Sequence, residues 1–239
     1  MKPIYEPKGR AKEYGELAIN IYTGCNHGCT YCYAPIVLKK DRATFHASVE
    51  PRKGIVEAVN RQLEKEQITG KLIHLCFTCD PYPAEIDTTP TREVIKVIKA
   101  TGNNVQILTK GGFRAERDFD LLDDGDWFGV TMTADATADG RPPEHEPGAA
   151  NTGERAISLA KTSQRGIKTW VSFEPVFEPW FVHNSIKYGD GIDLFKIGKL
   201  NYGKSDIDWA EFGRKCERLC IEYGRNYYIK EDLRKLMGG

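Results

Sequence analysis

The chain has 239 residues, of which 40% are hydrophobic and 28% are charged, and 34 Lys and Arg residues balance 34 Asp and Glu residues. This composition is typical of a folded globular protein and excludes the disordered and fibrous classes. A formal net charge of zero gives no support for a nucleic-acid partner. No apolar run approaches the roughly 20 residues of a membrane helix, and the polar residues 1–14 lack the apolar stretch of a signal peptide. We therefore expect a cytoplasmic protein without a membrane partner.

Apolar periodicity divides the chain into alternating strands and helices. The predicted strands span residues 17–22, 72–77, 104–108, 127–133, 168–173 and 193–197, and the predicted helices span 51–66, 91–100, 114–122, 151–163, 178–188 and 207–223. A short apolar run at 226–229 adds either a further strand or a cap. Residues 134–150 are the longest irregular stretch. Because they follow a predicted strand, we interpret them as an active-site loop.

The alternation of strands and helices predicts parallel strand pairing, because each helix returns the chain to the same edge of the sheet. The crossovers should be right-handed. Six such units suit an open barrel better than a closed eight-unit barrel. The sequence therefore predicts an α/β fold, a partial (β/α)6 TIM-like barrel with parallel strands. We expect one domain over residues 1–239, with a core at about 15–200 and a C-terminal helical region at 205–239.

Three of the seven cysteines, Cys25, Cys29 and Cys32, lie within eight residues, directly after the first predicted strand. In a cytosolic protein such crowding indicates metal binding rather than disulfides. Three thiolates at this spacing can hold three irons of a [4Fe–4S] cluster and leave the fourth iron without a protein ligand. An open metal position is what a catalytic site needs.

Zinc is the alternative metal for this loop, with His27 as a fourth ligand. Structural zinc is usually held by ligands in spaced pairs. Three cysteines and a histidine within eight residues would form a cramped tetrahedron, so the ligand geometry favours the iron–sulfur cluster.

The C-x3-C-x2-C spacing, with an aromatic residue before the last cysteine, resembles the radical-SAM superfamily. The wider string GCNHGCTYCYA at 24–34 resembles the spore photoproduct lyase-like branch of that superfamily, also called DNA-repair photolyase-like. Later segments are similar to the same branch: TCDPY at 78–82 with TR at 91–92, LTK at 108–110, RD at 117–118, and EP at 146–147 with Arg155. The resemblance covers residues from about 17 to 174.

The resemblance implies an enzyme that binds S-adenosylmethionine at the open iron, cleaves it with one electron and abstracts a substrate hydrogen with the 5′-deoxyadenosyl radical. It also implies a reductant such as flavodoxin or ferredoxin as a partner. Six residues would contact the cofactor: Tyr31 and Tyr33 near the adenine, Lys110 at the methionyl carboxylate, Thr131 at the ribose or methionyl group, and Asp80 and Glu174 near the amino group. The alternatives to these cofactor roles are that Lys110 is an ordinary surface lysine and that Thr131 is an ordinary strand residue.

The spore lyase is also known for a cysteine that donates hydrogen to its product radical. Cys79 is the corresponding candidate for catalysis here, although its match is out of register and Cys76 is close in sequence. The cysteine motif begins at residue 25, and the net charge is zero. Both observations argue against thymine-dimer repair as the activity.

The four cysteines outside the motif form two sequence pairs, Cys76 with Cys79 and Cys216 with Cys220. Together they could bind a second metal. The favoured interpretation of Cys216 and Cys220 is that they are small buried residues on one helix face.

Three functions are therefore open. The first is a radical-SAM enzyme that acts on DNA or a nucleotide. The second is radical-SAM modification of a peptide or a small molecule. The third is a non-catalytic module that binds nucleic acid through zinc or a cluster.

Overall fold

Seven parallel strands form one sheet, in which the spatial order follows the chain order from β1 to β7. The structure is a computed structural model that describes residues 2–135, 137, 139–201 and 203–238. The strands are β1 (Leu17–Ile19), β2 (Leu72–Leu75), β3 (Asn104–Thr109), β4 (Trp127–Thr131), β5 (Lys168–Phe173), β6 (Leu194–Ile197) and β7 (Tyr227–Ile229). β1 and β7 are the edges of the sheet, so the barrel is open.

The helices follow the strands in the order that the alternation predicts. They are α1 (Ala34–Leu38), α2 (Arg42–Ala47), α3 (Ile55–Lys65), α4 (Thr89–Ala100), α5 (Thr152–Ser163), α6 (Pro179–Tyr188), α7 (Trp209–Glu222) and α8 (Glu231–Arg234). Three 3₁₀ segments accompany them, at Gly9–Glu13, Gly112–Leu121 and Lys235–Met237. Within the described ranges, no helix has the length and apolarity that crossing a membrane requires.

The predicted α/β class, with parallel strands in an open barrel-like arrangement, is confirmed. The short run at 226–229 becomes a seventh strand, β7. Element bounds differ at strand ends: β2 stops at Leu75 because Cys76 has φ 70°, a left-handed conformation that a strand does not contain. The helix predicted at 114–122 is a 3₁₀ segment, and α1 and α2 were not predicted because each is only five or six residues long.

The two faces of the sheet differ in chemistry. Side chains alternate between the faces of each strand. Ile73 and Leu75 of β2 pack with Val59 of α3 and Ile95 of α4 in the main hydrophobic cluster, so this face is covered by helices. His74, between the two β2 residues, lies on the opposite face and lines a cavity.

A close approach between two strands shapes the inner face. The Trp170 ring of β5 lies across Gly129 of β4, where an added Cβ would come within 2.3 Å of the indole Nε1. That Nε1 donates to the carbonyl of Ile107 over 3.0 Å, which satisfies the one polar atom of a fully buried ring. Glycine at position 129 is thus a packing requirement.

Residues 2–14, the N-terminal strap, connect the two edges of the sheet. Tyr5 pairs with Ala18 of β1 through two backbone hydrogen bonds of 3.0 and 2.9 Å. At the other edge, the carboxylate of Glu13 accepts from the backbone N–H of Glu231 over 3.1 Å, and Arg10 lies 2.9 Å from Asp232. The strap therefore spans the gap that the open sheet leaves.

We expect the strand β3 to carry a large share of the stability. Ile107 is 0% exposed in the middle of the sheet, whereas Ile157 on α5 is 48% exposed. Ile107→Ala should reduce the free energy of unfolding by about 2–5 kcal/mol, because it removes buried methyl groups and leaves a cavity. Ile157→Ala, the matched control, should change it by less than about 0.5 kcal/mol. Chemical denaturation measures both, and equal effects would contradict this account of the core.

Candidate functional site

The cysteine loop is held by α2, which packs beneath it. His46 Nδ1 lies 2.7 Å from the carbonyl oxygen of Cys25, and Arg42 donates to the carbonyls of Cys29 and Cys32 over 3.3 and 2.7 Å. A Cβ added at Gly24 would come within 2.2 Å of the carbonyl oxygen of Ser48, so only glycine permits this approach. The loop backbone is thus bound to the protein, and its three sulfurs remain for another partner.

The three thiols lie in surroundings that disfavour the thiolate form. Burial, followed by the charge of Asp80 and then the Cys29 thiol, raises the pKa of Cys25 well above its ordinary value. Burial, followed by the charge of Glu146 and then the Cys32 thiol, raises the pKa of Cys29 to about 11 against the opposing charge of Lys110. Burial also raises the pKa of Cys32. Backbone N–H groups of His27 and Ala34 favour the thiolates of Cys25 and Cys32 without outweighing that burial. Bound iron deprotonates a coordinating thiol outright, so this donor set fits a group that supplies positive charge.

The His27 side chain contacts Asp80 and Arg114. Its Nδ1 lies 3.5 Å from Oδ2 of Asp80, and its Nε2 lies 3.0 Å from an Arg114 nitrogen. Burial lowers the pKa of His27 to about 4, so the ring is neutral at pH 7, and the guanidinium of Arg114 donates to it. Both ring nitrogens have partners, which disfavours His27 as a zinc ligand.

Among the described residues, no three His, Cys, Asp or Glu side chains are placed around a single metal ion. In a cubane cluster each cysteine binds a different iron, so three cluster ligands need not converge on one point. The absence of a single-ion site among the described residues therefore does not conflict with three cysteines that each bind a different iron.

A cavity of about 800 Å³ adjoins the cysteine loop. Its wall includes all seven residues predicted for cofactor binding and catalysis outside the cluster: Tyr31, Tyr33, Cys79, Asp80, Lys110, Thr131 and Glu174. They come from the cysteine loop and from the carboxyl ends of four neighbouring strands, β2 to β5. The volume lies within the roughly 300–1,000 Å³ of small-molecule sites.

Lys110 is a cation that lines the cavity beside the cysteine loop. Burial lowers the pKa of its ammonium, but the anionic forms of Cys29 and Glu146 outweigh burial and raise that pKa overall. Its Nζ lies 5.6 Å from the centre of the Tyr31 ring. Within the described part of the chain, no side-chain or backbone acceptor is hydrogen-bonded to this Nζ. A half-buried cation in that position has capacity left for an anionic ligand.

The irregular stretch at 134–150 joins the cysteine loop to the sheet. Glu146 accepts from Tyr31 Oη and forms an ion pair of 2.6 Å with Arg155, in which both side chains are 0% exposed. Arg155 also donates to the carbonyl of Thr131 over 2.8 Å. Two backbone hydrogen bonds join this stretch to the cysteine loop: the N–H of Thr30 donates to the His145 carbonyl, and the N–H of Gly148 donates to the His27 carbonyl. The described residues of this stretch thus hold the cysteine loop against the sheet, although none of them lines the cavity itself. Ala136 and Ala138 lie outside the described residues.

Asp80 has its hydrogen bonds within the protein. Its Oδ1 accepts from Thr109 Oγ1 over 2.6 Å and from Tyr82 N over 2.8 Å, and its Oδ2 accepts from Lys110 N over 2.9 Å. Burial raises the pKa of this carboxyl, but His27 and these bonds outweigh burial and lower it. The carboxylate is therefore ionised and fixes the end of β3 against the end of β2.

Glu174 is the centre of a second network, which sequence reasoning missed. Its Oε2 accepts from Tyr14 Oη over 2.9 Å and from Lys230 Nζ, and its Oε1 accepts from Asn201 Nδ2 over 2.6 Å. Lys230 directly follows β7, and polar residues at the carboxyl ends of parallel strands mark sites, so that signal could have identified it. Tyr14 and Asn201 lie in segments without such a pattern.

The four remaining cysteines form two separate groups. Cys76 and Cys79 line the cavity at the end of β2. Cys216 and Cys220 lie on α7, are 0% exposed and belong to the hydrophobic cluster. This agrees with the interpretation of Cys216 and Cys220 as buried packing residues, and the described residues contain no four-thiolate site.

No family model matches the chain. Uncharacterized protein MJ0683 of Methanocaldococcus jannaschii is 27% identical over 177 residues, which cover 73% of this chain and 64% of that protein. Uncharacterized protein ORF301 of Acidianus two-tailed virus is 26% identical over 193 residues, which cover 76% of this chain and 63% of that protein. The chain thus spans slightly less than two thirds of each relative.

Two kinds of solved structure share the fold. Spore photoproduct lyase, with bound AdoMet and dinucleoside spore photoproduct, gives a TM-score of 0.68 at 15% identity, over 94% of this chain and 78% of that one. SuiB of Streptococcus suis, bound to its precursor peptide SuiA, gives a TM-score of 0.64 at 13% identity, over 92% of this chain and 50% of that one. Both are radical-SAM enzymes, so the resemblance expected from the sequence is confirmed at the level of the fold.

The buried ion pair gives a test of the loop's attachment. Glu146→Gln should reduce the free energy of unfolding by about 3–5 kcal/mol, because it leaves the Arg155 charge buried and unpaired. Arg155 and Lys110 outweigh burial and hold the pKa of Glu146 below its ordinary 4.5. Its stabilisation is therefore present above that value and lost as the pH falls through the folded-state pKa. Denaturation at a series of pH values should show that the free energy of unfolding falls less in acid for the variant than for the wild type. An equal loss of stability in acid for both proteins would contradict this role of Glu146.

Proposed function

We propose that the protein is a radical-SAM enzyme in which Cys25, Cys29 and Cys32 hold a [4Fe–4S] cluster and S-adenosylmethionine occupies the adjoining cavity. The observation that carries the proposal is the convergence of the predicted cofactor residues on one cavity beside the three-thiol loop. The fold of two radical-SAM enzymes supports the same conclusion.

The residues of this chain have distinct tasks in the proposed site. Lys110 neutralises the methionyl carboxylate, because it is a half-buried cation without a hydrogen-bond acceptor among the described residues. Tyr31 and Tyr33 present rings to the adenine, since their hydroxyls already donate to Glu146 and to the Phe77 carbonyl. Asp80 positions Lys110 through the backbone bond at 2.9 Å.

Thr131 and Glu174 complete the opposite wall of the proposed cofactor site. Both residues line the cavity. Thr131, at the end of β4, would contact the ribose or methionyl group, and Glu174 would accept from the amino group. When bound, the reduced cluster supplies the electron that cleaves S-adenosylmethionine to methionine and the hydrogen-abstracting 5′-deoxyadenosyl radical. A flavodoxin- or ferredoxin-like reductant in the cytoplasm is the proposed electron source, and Cys79 is the proposed hydrogen donor to the product radical.

We propose DNA or a nucleotide as the substrate. The cavity wall carries five cationic side chains, Lys8, Arg10, Lys110, Lys199 and Lys230, against three carboxylates, Glu6, Asp80 and Glu174. Two of those carboxylates, Asp80 and Glu174, are already bonded within the protein. Arg10 and Lys230 are paired as well, with Asp232 and Glu174, so Lys8 and Lys199 are the cations that would contact a phosphate-bearing substrate. A peptide is the second candidate, because SuiB, with the same fold, is bound to a precursor peptide.

The proposal is tested by cofactor chemistry in anaerobically reconstituted protein. We expect about four irons and four sulfides per chain, and 5′-deoxyadenosine after addition of dithionite and S-adenosylmethionine. Cys29→Ala should abolish 5′-deoxyadenosine formation. Cys220→Ala, which removes a buried thiol outside the loop, should retain it. Adding DNA, a nucleotide or peptides then shows which class raises the yield. One zinc and no iron after anaerobic purification would overturn the proposal.

The role of Lys110 is tested by cofactor affinity. Lys110→Gln should weaken S-adenosylmethionine binding by roughly 10- to 150-fold, because a charged hydrogen bond contributes about 1.5–3 kcal/mol. Lys168→Gln, at the exposed start of β5, should leave the affinity unchanged. Anaerobic equilibrium dialysis with labelled S-adenosylmethionine measures both. An unchanged affinity for Lys110→Gln would remove Lys110 from the cofactor site.

A further inference from the structure

Two thiols lie side by side in the wall of the cavity. Cys76 and Cys79 follow β2 in a C-x-x-C segment, and both line the cavity. They are three residues apart on the same wall, and burial followed by the neighbouring Cys79 thiol raises the pKa of Cys76 well above its ordinary value. Both are free cysteines.

The backbone holds this segment in place from both ends. Cys76 has φ 70° and donates its N–H to the Ile19 carbonyl over 2.8 Å, which turns the chain out of the strand. Cys79 Sγ accepts from Tyr22 N over 3.4 Å. The two cysteines are thus attached to the residues that follow β1, and their separation is fixed by the sheet rather than by a mobile loop.

The accessibility of the two thiols is unequal. Cys76 is 6% exposed, whereas Cys79 is half-buried and reaches the cavity. A small disulfide that enters the cavity would therefore contact Cys79 before Cys76, because Cys76 is the more buried of the two. A reachable thiol can form the mixed disulfide, and a second thiol behind it can then resolve that mixed disulfide.

We propose that Cys76 and Cys79 form a reversible dithiol–disulfide pair in the cavity wall. In the first step the Cys79 thiolate attacks a small disulfide such as oxidised glutathione, which forms a mixed disulfide and releases one thiol. In the second step Cys76 loses its proton and attacks Cys79 Sγ, which closes the intramolecular disulfide and releases the second thiol. The protein pair is oxidised by two electrons and the small disulfide is reduced by two.

The pair has a consequence for catalysis that rests on the proposed function. A hydrogen donor needs an S–H bond, and the oxidised pair has none at either cysteine. The disulfide form would therefore retain the cluster loop and the cofactor site, since neither cysteine belongs to them, but would lose the proposed donor. The site would release finished product only when the pair is reduced.

The pair is tested on the whole reconstituted protein under anaerobic glutathione buffers of increasing oxidised fraction, followed by acid quenching, alkylation and peptide mass mapping. In the wild type we expect the peptide with residues 76–79 to lose two alkylatable thiols together and to carry an internal disulfide. In Cys76→Ala we expect glutathione to accumulate on Cys79, because no second thiol resolves the mixed disulfide. In Cys79→Ala, Cys76 should remain alkylatable.

Cys216 and Cys220 are the internal control, since both are buried in the core and should stay reduced throughout. Accumulation of glutathione on Cys79 in the wild type, or two thiols that titrate independently, would overturn the pair. The readout does not use S-adenosylmethionine cleavage, so the pair and the proposed function fail separately. A disulfide without any 5′-deoxyadenosine formation would refute only the function.

Discussion

The ion pair between Glu146 and Arg155 is the interaction on which the geometry of the site depends. Both side chains are 0% exposed and lie 2.6 Å apart. Burying two charges is costly, and the pair persists only because further bonds satisfy the remaining atoms. Tyr31 donates to Glu146, and the carbonyls of Ala150 and Thr131 accept from Arg155. These bonds connect the cysteine loop, the irregular stretch and the end of β4, so the cysteine loop cannot move without breaking a buried charge network.

The parts of the structure that follow from chain periodicity were predictable from the sequence. The strands β2 to β6 and the helices behind them follow apolar spacing, and β7 was left open only because a short run such as 227–229 fits a strand or a cap equally. The ends of strands were less predictable, because they depend on local conformation. Cys76 ends β2 through its left-handed backbone, which no apolar pattern records.

The residues that lie at the cavity could be named from motif resemblance, but their partners could not. Asp80 and Glu174 were expected to face a ligand, and both prove to be bonded within the protein as well. Those partners come from distant parts of the chain: Tyr14 is 160 residues from Glu174, and Lys230 is 56 residues from it. Contacts at such separations depend on the curvature of the sheet and on the path of the strap, which sequence spacing does not encode.

The open edge of the sheet explains why the strap carries so much polar chemistry. Strand edges with unpaired groups invite association with other chains. Here the strap crosses the gap and places Tyr14 against the ammonium of Lys196, whose Nζ lies 4.6 Å from the tyrosine ring centre and donates to the Glu13 carbonyl over 2.7 Å. Burial lowers the pKa of Lys196 to about 8. A cation held between the Tyr14 and Trp170 rings thus fixes the strap at the point where Tyr14 enters the cavity wall.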